Sequence, residues 1–297
     1  MEKILRVRSV NDYARYIGAP VLHPLVSVVH YDELEHCRHS LNNYDVYALF
    51  IGDEELEDLS YGQLQYDLHR HALMCVAPGQ IGGKADTGEE IQTKGWALLF
   101  DTELLRGTEL GRRMPDYTYF TYSVSEALLM TDEQRLSIVN LLEQIRQELL
   151  KEEDAHTLRI VSSQIAHVLE LIARYYAVQL STSVRSTNSD LLSRFENLLH
   201  DYYVDRLQHQ HGLPTVKYCA QQLFLSPNYF GDLIRTLTGD TATSHIRRFL
   251  MQRAQQILLS GATVSETAES LGFEYPQHFT RLFKKHFGVT PSEFILR

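Results

Sequence analysis

The sequence predicts an α+β chain. It divides into a β sandwich or barrel over residues 1–130, a helical hairpin over 131–180, a linker over 181–189 and an all-α domain over 190–297. Three observations predict this. Short runs rich in β-branched and aromatic residues, punctuated by Gly, Pro and Asp, fill the first part. At Thr131 the apolar spacing changes to that of a helix. Between residues 213 and 297 one helical pattern occurs twice.

The β runs are LVSVVHY (25–31), YDVYALFIG (44–52), HALMCVAPGQI (71–81) and GWALLFD (95–101). Pro78-Gly79 and Gly82-Gly83 read as turns, and so does His23-Pro24. Trp96, the single tryptophan, reads as core. Thr131 with Gln134 forms a capping box that starts a helix. Leu136, Val139, Leu142, Ile145 and Leu149 then recur at helical spacing. After the charged turn Lys151–Asp154 a second stripe carries Leu158, Val161, Ile165, Val168, Leu169, Ile172 and Tyr176. An antiparallel pair of this length beside a small β domain suits a dimer surface; the alternative is a cover for the β core. Ser181–Ser189 is small, polar and without period, as a linker is. A short helix from Asp190 to about Tyr203 and a loop over 209–214 follow.

Bulk composition excludes several classes. Apolar residues make up 44% of 297, enough for packed cores. No run approaches the roughly 18 apolar residues of a membrane span, and the N-terminus has no apolar segment of a secretory signal. Cys37, Cys75 and Cys219 are scattered, which argues against a disulfide framework and a Cys-based zinc site and suits a reducing, cytoplasmic compartment. The net charge of −10 is unevenly spread: from Asn188 onward 11 Lys+Arg face 10 Asp+Glu, and from Leu213 onward 9 face 6. The acidity sits in the first two-thirds, and the C-terminal part is mildly basic, as a phosphate-binding surface requires.

The repeat carries the most information. Residues 216–239 lie over 264–288 with one insertion, at Tyr275. Val216, Ala220 and Leu223 match Val264, Ala268 and Leu271; Pro227, Phe230, Leu233 and Gly239 match Pro276, Phe279, Leu282 and Gly288. Each copy reads as two helices joined by a tight turn. The small alanine permits a close crossing. Proline suits the first turn of the second helix, and glycine ends it in the left-handed conformation. This is the form of a helix-turn-helix, whose second helix enters the major groove of DNA. A connecting helix from about Ala242 to Ser260 carries Ile246, Phe249, Leu250, Ala254, Ile257 and Leu258 on one side and Arg247, Arg248 and Arg253 as positive charge. It would set the two reading helices about 34 Å apart, one turn of the duplex.

At these residues the chain resembles the AraC/XylS family of bacterial transcription regulators. The second copy holds Ala268, Leu271-Gly272-Phe273, Phe279, Arg281, Phe283-Lys284-Lys285, Phe287-Gly288, Thr290-Pro291 and Phe294. The first holds Leu225-Ser226-Pro227-Asn228-Tyr229-Phe230 and Thr238-Gly239. The chain departs from the family pattern at Leu250, where arginine is common, at Gly231 and Asp232, and at Phe294-Ile295. More loosely, residues 1–130 resemble the family's cupin-like sensor domains, through Pro78-Gly79-Gln80, Gly95-Trp96 and the helix pair that follows.

The resemblance implies double-stranded DNA as partner, a homodimer formed through residues 131–180, a small-molecule effector and, for an activator, RNA polymerase. It implies no cofactor, no catalytic residues and no membrane. The groove-facing positions it implies are Gln277, His278, Thr280 and Arg281 in the second unit; Asn228 and Asp232 are our choice in the first. Arginine can bond guanine in bidentate fashion, glutamine adenine, and aspartate can accept from cytosine. Ser226, Arg235, Arg247, Arg248, Lys284 and Lys285 are expected on phosphates. Phe230, Phe279, Phe283 and Phe287 are expected in the core. His69 and His71, two apart on an expected strand, would face one way as in a metal-binding cupin, but no acid follows them, and no metal is expected. A cupin-type metal enzyme with an appended helical domain, and a DNA-binding regulator without a ligand, are the rival readings.

Overall fold

A computed structural model describes residues 4–35, 37–38, 40–53, 56–61, 64–68, 71–84 and 90–296, with only the backbone given for 56–61, 64–68, 124 and 183–190. The chain forms two compact units, Met1–Gln179 and Leu180–Arg297.

The first unit is β-rich. Its strands are β1 Leu5–Val7, β2 Val26–His30, β3 Cys37–Arg38, β4 Leu41–Tyr44, β5 Tyr47–Gly52, β6 Leu56–Tyr61, β7 Leu64–Leu68, β8 Ala72–Val76, β9 Ile81–Gly83, β10 Glu90–Ile91, β11 Gly95–Phe100 and β12 Leu128–Leu129. They build one five-stranded sheet in the order β1-β4-β9-β6-β7, a second in the order β12-β8-β5-β11-β2, and the pair β10-β3. Each of the four apolar runs read from the sequence contains a strand of the second sheet. In that sheet β11 lies between β2 and β5, with Leu98 opposite Val28 on one side and Leu49 on the other. Every residue of β11 is buried, which explains why its sequence is a continuous apolar run rather than an alternating one. Trp96 is 5% exposed and stacks on His30 at 4.1 Å, a core position.

Two sequence expectations are corrected here. Gly82-Gly83 is strand, not turn: β9 pairs with β4, Asn42 opposite Gly82. Gly83 is required there because a Cβ would sit 2.1 Å from the Ser40 carbonyl oxygen, at φ +124°. His71 is not on a strand. It occupies the turn between β7 and β8 with φ 61°, and its Nδ1 lies 3.2 Å from Asp132. Its companion His69 lies outside the described residues.

The helices are α1 Val10–Tyr16, α2 Glu109–Arg113, α3 Asp132–Leu149, α4 Thr157–Val204, α5 Gln208–His211, α6 Val216–Gln222, α7 Pro227–Thr238, α8 Ala242–Leu259, α9 Val264–Ser270, α10 Pro276–Phe287 and α11 Pro291–Ile295. Thr131 and Gln134 close the capping box of α3 as read. The stripe of α3 is shifted by two positions at its start: Ile138 is buried and Leu136 is 54% exposed. Arg146 on α3 forms an ion pair with Glu33, and this, with His30, holds the Glu33 carboxyl at about 2. The Ser/Thr-rich segment 181–189, expected as a linker, is helical. It falls inside α4, as does the short helix expected from Asp190. No glycine or proline occurs from Thr157 to Val204, so nothing in the segment breaks a helix.

In the second unit α8 packs against α6, α7, α9, α10 and α11. Its Leu250, Met251, Ala254 and Leu258 are all but fully buried. The Tyr203 hydroxyl donates to the Leu271 carbonyl at 3.0 Å, and Gln208 donates to the Ser270 carbonyl at 3.3 Å, tying the end of α4 and α5 to α9. Gly272 seals this contact: a Cβ would come within 2.9 Å of the Gly212 backbone.

Two outcomes follow from these contacts. Gly272→Ala should lower the midpoint of urea unfolding more than Gly239→Ala. Both substitutions meet the left-handed penalty of about 1–2 kcal/mol, but nothing lies within 4 Å of a Cβ at Gly239. Glu33, held low by Arg146, contributes stability above the ordinary carboxylate range that is lost as pH falls toward 2. Glu33→Gln should therefore flatten the acid side of the stability profile, read by thermal unfolding between about pH 5 and pH 2.

Candidate nucleic-acid interface

Two helical pairs, α6–α7 and α9–α10, recur with the same construction. Thr215 and Thr263 cap the first helix of each pair. Proline opens the second helix, and glycine in the left-handed region ends it, Gly239 at φ 74° and Gly288 at φ 78°. On α7 the buried residues are Tyr229, Phe230, Leu233 and Ile234. On α10 they are Phe279 and Phe283, whose rings stand 5.6 Å apart. Phe287 is half-buried, 4.6 Å from Phe283, and so belongs to the same cluster rather than to a stacking surface.

The opposite faces follow from the 3.6-residue turn. On α10, Gln277, His278, Arg281, Lys284 and Lys285 are exposed, and Arg281 stands most directly away from the phenylalanine core. Thr280 is half-buried at the side, with its hydroxyl donating to the Pro276 carbonyl at 3.0 Å. On α7, Asn228 and Arg235 are exposed and Asp232 is half-buried on the same stripe. Ser226 is the N-cap of α7, with its oxygen accepting from the Tyr229 N–H at 3.4 Å. The helix surfaces thus differ in charge. That of α10 carries Arg281, Lys284 and Lys285 with no acid; that of α7 sets Asp232 against Arg235.

The connecting helix contributes unevenly. Arg247 is exposed and joins His278, Arg281 and Lys285 along a groove formed by the start of α6, α8 and α10, with Ile246 and Leu250 among its apolar lining. Arg248 is ion-paired with Asp240 at 2.6 Å. The backbone N–H of Thr241 is the main cause holding the Asp240 carboxyl below its ordinary range, with Ser244 and Arg248 adding to it. Arg253 does not project as positive charge: its guanidinium lies 4.7 Å over the Tyr203 ring. Leu250, where the resemblance commonly has arginine, is core, 2% exposed. Sequence reading missed Phe224. It occupies the turn of the first pair at φ 59° and is 87% exposed. The signal was in the repeat, which aligns it with Gly272. Among the described residues no cluster of His, Cys, Asp or Glu is arranged to hold a metal, and no described helix is long and apolar enough to cross a membrane.

Tandem two-helix units sharing a central helix, each with an outward polar stripe on its second helix, define a double helix-turn-helix domain. Residues 219–297 match the protein family described as "Helix-turn-helix domain". That match, of AraC type, lies within the C-terminal unit. The chain is similar to the "Uncharacterized transcriptional regulatory protein YesN" of Bacillus subtilis, 37% identical over 84 residues that cover 27% of this chain and 23% of the relative. It is similar to the "Transposon Tn10 TetD protein" of Escherichia coli, 43% identical over 65 residues, 22% of this chain and 47% of that one. Its matches to curated relatives thus span only a quarter to about half of their length. Among solved structures, ToxT of Vibrio cholerae aligns over 92% of this chain and 98% of its own, with 12% identity and a TM-score of 0.29.

Asp240→Asn removes the carboxylate that Arg248 now pairs with. DNA retention should then rise at low salt, and the slope of log affinity against log salt should steepen by up to about one unit, measured by fluorescence anisotropy over a salt series.

Proposed function

We propose that the chain is a sequence-specific DNA-binding transcription regulator that works as a dimer and answers to a small effector. The observation that carries the reading is the outward stripe of α10, where Gln277, His278, Arg281, Lys284 and Lys285 are exposed opposite a fully buried phenylalanine core. A helix held this way offers base-reading groups near its start and cations for phosphates near its end. Arg281 reads guanine, Gln277 reads adenine, and His278 and Thr280 complete the contact in the second unit. Asn228 and Asp232 read in the first. Ser226, Arg235, Arg247, Arg248, Lys284 and Lys285 set the register on the backbone. The two helices occupy successive major grooves about 34 Å apart.

The first unit is the cupin-like sensor. Its two five-stranded sheets and the α3–α4 hairpin support that reading. Leu136, Leu150 and Ile160 are 54%, 56% and 41% exposed on or beside the hairpin, apolar surface that favours a dimer contact through residues 131–180. In an activator the DNA-bound dimer would also touch RNA polymerase. Regulation of transcription places the chain in the cytoplasm.

The test is a pair of substitutions assayed on selected DNA fragments and on random sequence. Arg281→Ala should cost about 1–3 kcal/mol on the selected site and relax choice at one base pair. Lys284→Ala should weaken both classes of DNA alike and reduce the salt slope by about one unit. Unchanged affinity in both variants sinks the assignment.

A further inference from the structure

A cavity of about 140 Å³ lies in the first unit, lined by strands of all three of its sheets. Tyr13, Tyr44 and Phe50 form one aromatic cluster of its lining. Their centroids stand 5.9 to 6.4 Å apart at interplanar angles of 46° to 67°, so the cluster mixes ring faces with ring edges. Tyr119, Tyr122 and Tyr176 form a second cluster, with Tyr176 stacked 5.5 Å from Tyr119 and edge-on to Tyr122 at 5.2 Å. Ile51, Met74, Cys75 and Val76 add aliphatic and sulfur surface.

The polar side chains around these rings are already engaged. The hydroxyls of Tyr13 and Tyr31 are 2.6 Å apart, that of Tyr44 accepts from Asn42 Nδ2 at 2.9 Å, and that of Tyr119 donates to the Leu169 carbonyl at 2.9 Å. Arg38, Lys84 and Lys94, the cations of the lining, each have a partner as well. No carboxylate is among the described lining residues. Burial raises the pKa of the Tyr13, Tyr31, Tyr44 and Tyr119 phenols and of the Cys37 and Cys75 thiols, so none of them supplies an anion at neutral pH. A charged guest would lose its hydration here and meet no free counter-charge. Size sets a second limit. An apolar protein cavity of about 150 Å³ stays dry and takes a single benzene ring. Edge-to-face contact with aromatic walls, and contact with a thioether such as Met74, favour an aromatic ring over a saturated one.

We propose that this cavity binds a neutral molecule built on one aromatic ring and discriminates against carboxylates, amines and two-ring compounds. This deepens the effector response proposed above and rests on it for its consequence in regulation. Charge is refused because every charged side chain of the lining is already engaged, and a second ring is refused by volume.

The experiment uses the full chain at pH 7 and isothermal titration with benzyl alcohol, cyclohexylmethanol, benzoate, benzylamine and 2-naphthylmethanol. Benzyl alcohol should bind and raise the melting temperature. Cyclohexylmethanol should bind at least threefold more weakly, and benzoate, benzylamine and the two-ring alcohol at least tenfold more weakly. Phe50→Ala, at a half-buried position of the lining, should weaken benzyl alcohol and admit 2-naphthylmethanol. If Phe50→Ala does not fold, the series of five compounds on the unaltered chain decides the same point. No binding of benzyl alcohol up to its solubility, or binding of any of the other four as tight as that of benzyl alcohol, overturns the proposal. DNA retention measured on the same preparation separates the two readings. DNA bound without benzyl alcohol bound leaves the regulator standing and removes this site; benzyl alcohol bound without DNA bound does the reverse.

Discussion

A helix of seven residues is too short to hold itself together in water, because the entropy of its first turn is repaid by only a few hydrogen bonds. The leading helix of each DNA-binding pair, α6 and α9, has that length. Both exist because α8 and the second helix of each pair give them something to pack on. The eighteen-residue α8 is the longest described helix of this domain beyond the end of α4, and its buried side carries Leu250, Met251, Ala254 and Leu258. Ala254, with no side chain beyond Cβ, allows close approach of the packed helices, just as Ala220 and Ala268 do inside the pairs. The outward placement of Arg281 and Asn228 therefore depends in part on the apolar face of α8, against which both pairs pack.

The same dependence explains the charges. Of the three arginines on α8, one points outward along the groove, one is paired to Asp240 and one lies flat on Tyr203. Binding strength need not then come equally from the two pairs. The α10 surface carries three cations and no acid, whereas α7 sets Asp232 beside Arg235, so under the proposed reading the two helices would differ in their pull on phosphate. A chain with a net charge of −10 can still approach DNA through one end, because salt screens charges beyond roughly 10 Å.

What could be read from sequence follows the range of the interactions. Helix caps, the glycine stops and the phenylalanine core lie within a few residues of one another, and Thr131-Gln134, Gly239, Gly288 and Phe279 all stand where their neighbours in sequence put them. Pairings across long separations were invisible. Nothing local brings Tyr203 to Leu271, Arg253 over Tyr203, or Gly83 against Ser40. The strand order is hidden for the same reason. The Ser/Thr run 181–189 is polar enough to suit a linker, but the residues that break helices, glycine and proline, are absent from it, and it is helical. At the start of α3 Leu136 and Ile138 both fit an apolar stripe, and the packing of α3 on β2 decides between them.

The turns of the two pairs are not interchangeable, despite their shared construction. In the first, a phenylalanine sits in water at a backbone angle that suits glycine. In the second, a glycine is pressed against Gly212 with no space for any side chain. A chimera that carries the second turn in the first position loses strain and gains stability. The reciprocal graft forces an aromatic ring into a closed backbone contact and pries α5 from α9. The duplicated motif thus has one tolerant corner and one that is locked, and variation introduced into this domain will be accepted at Phe224 long before it is accepted at Gly272.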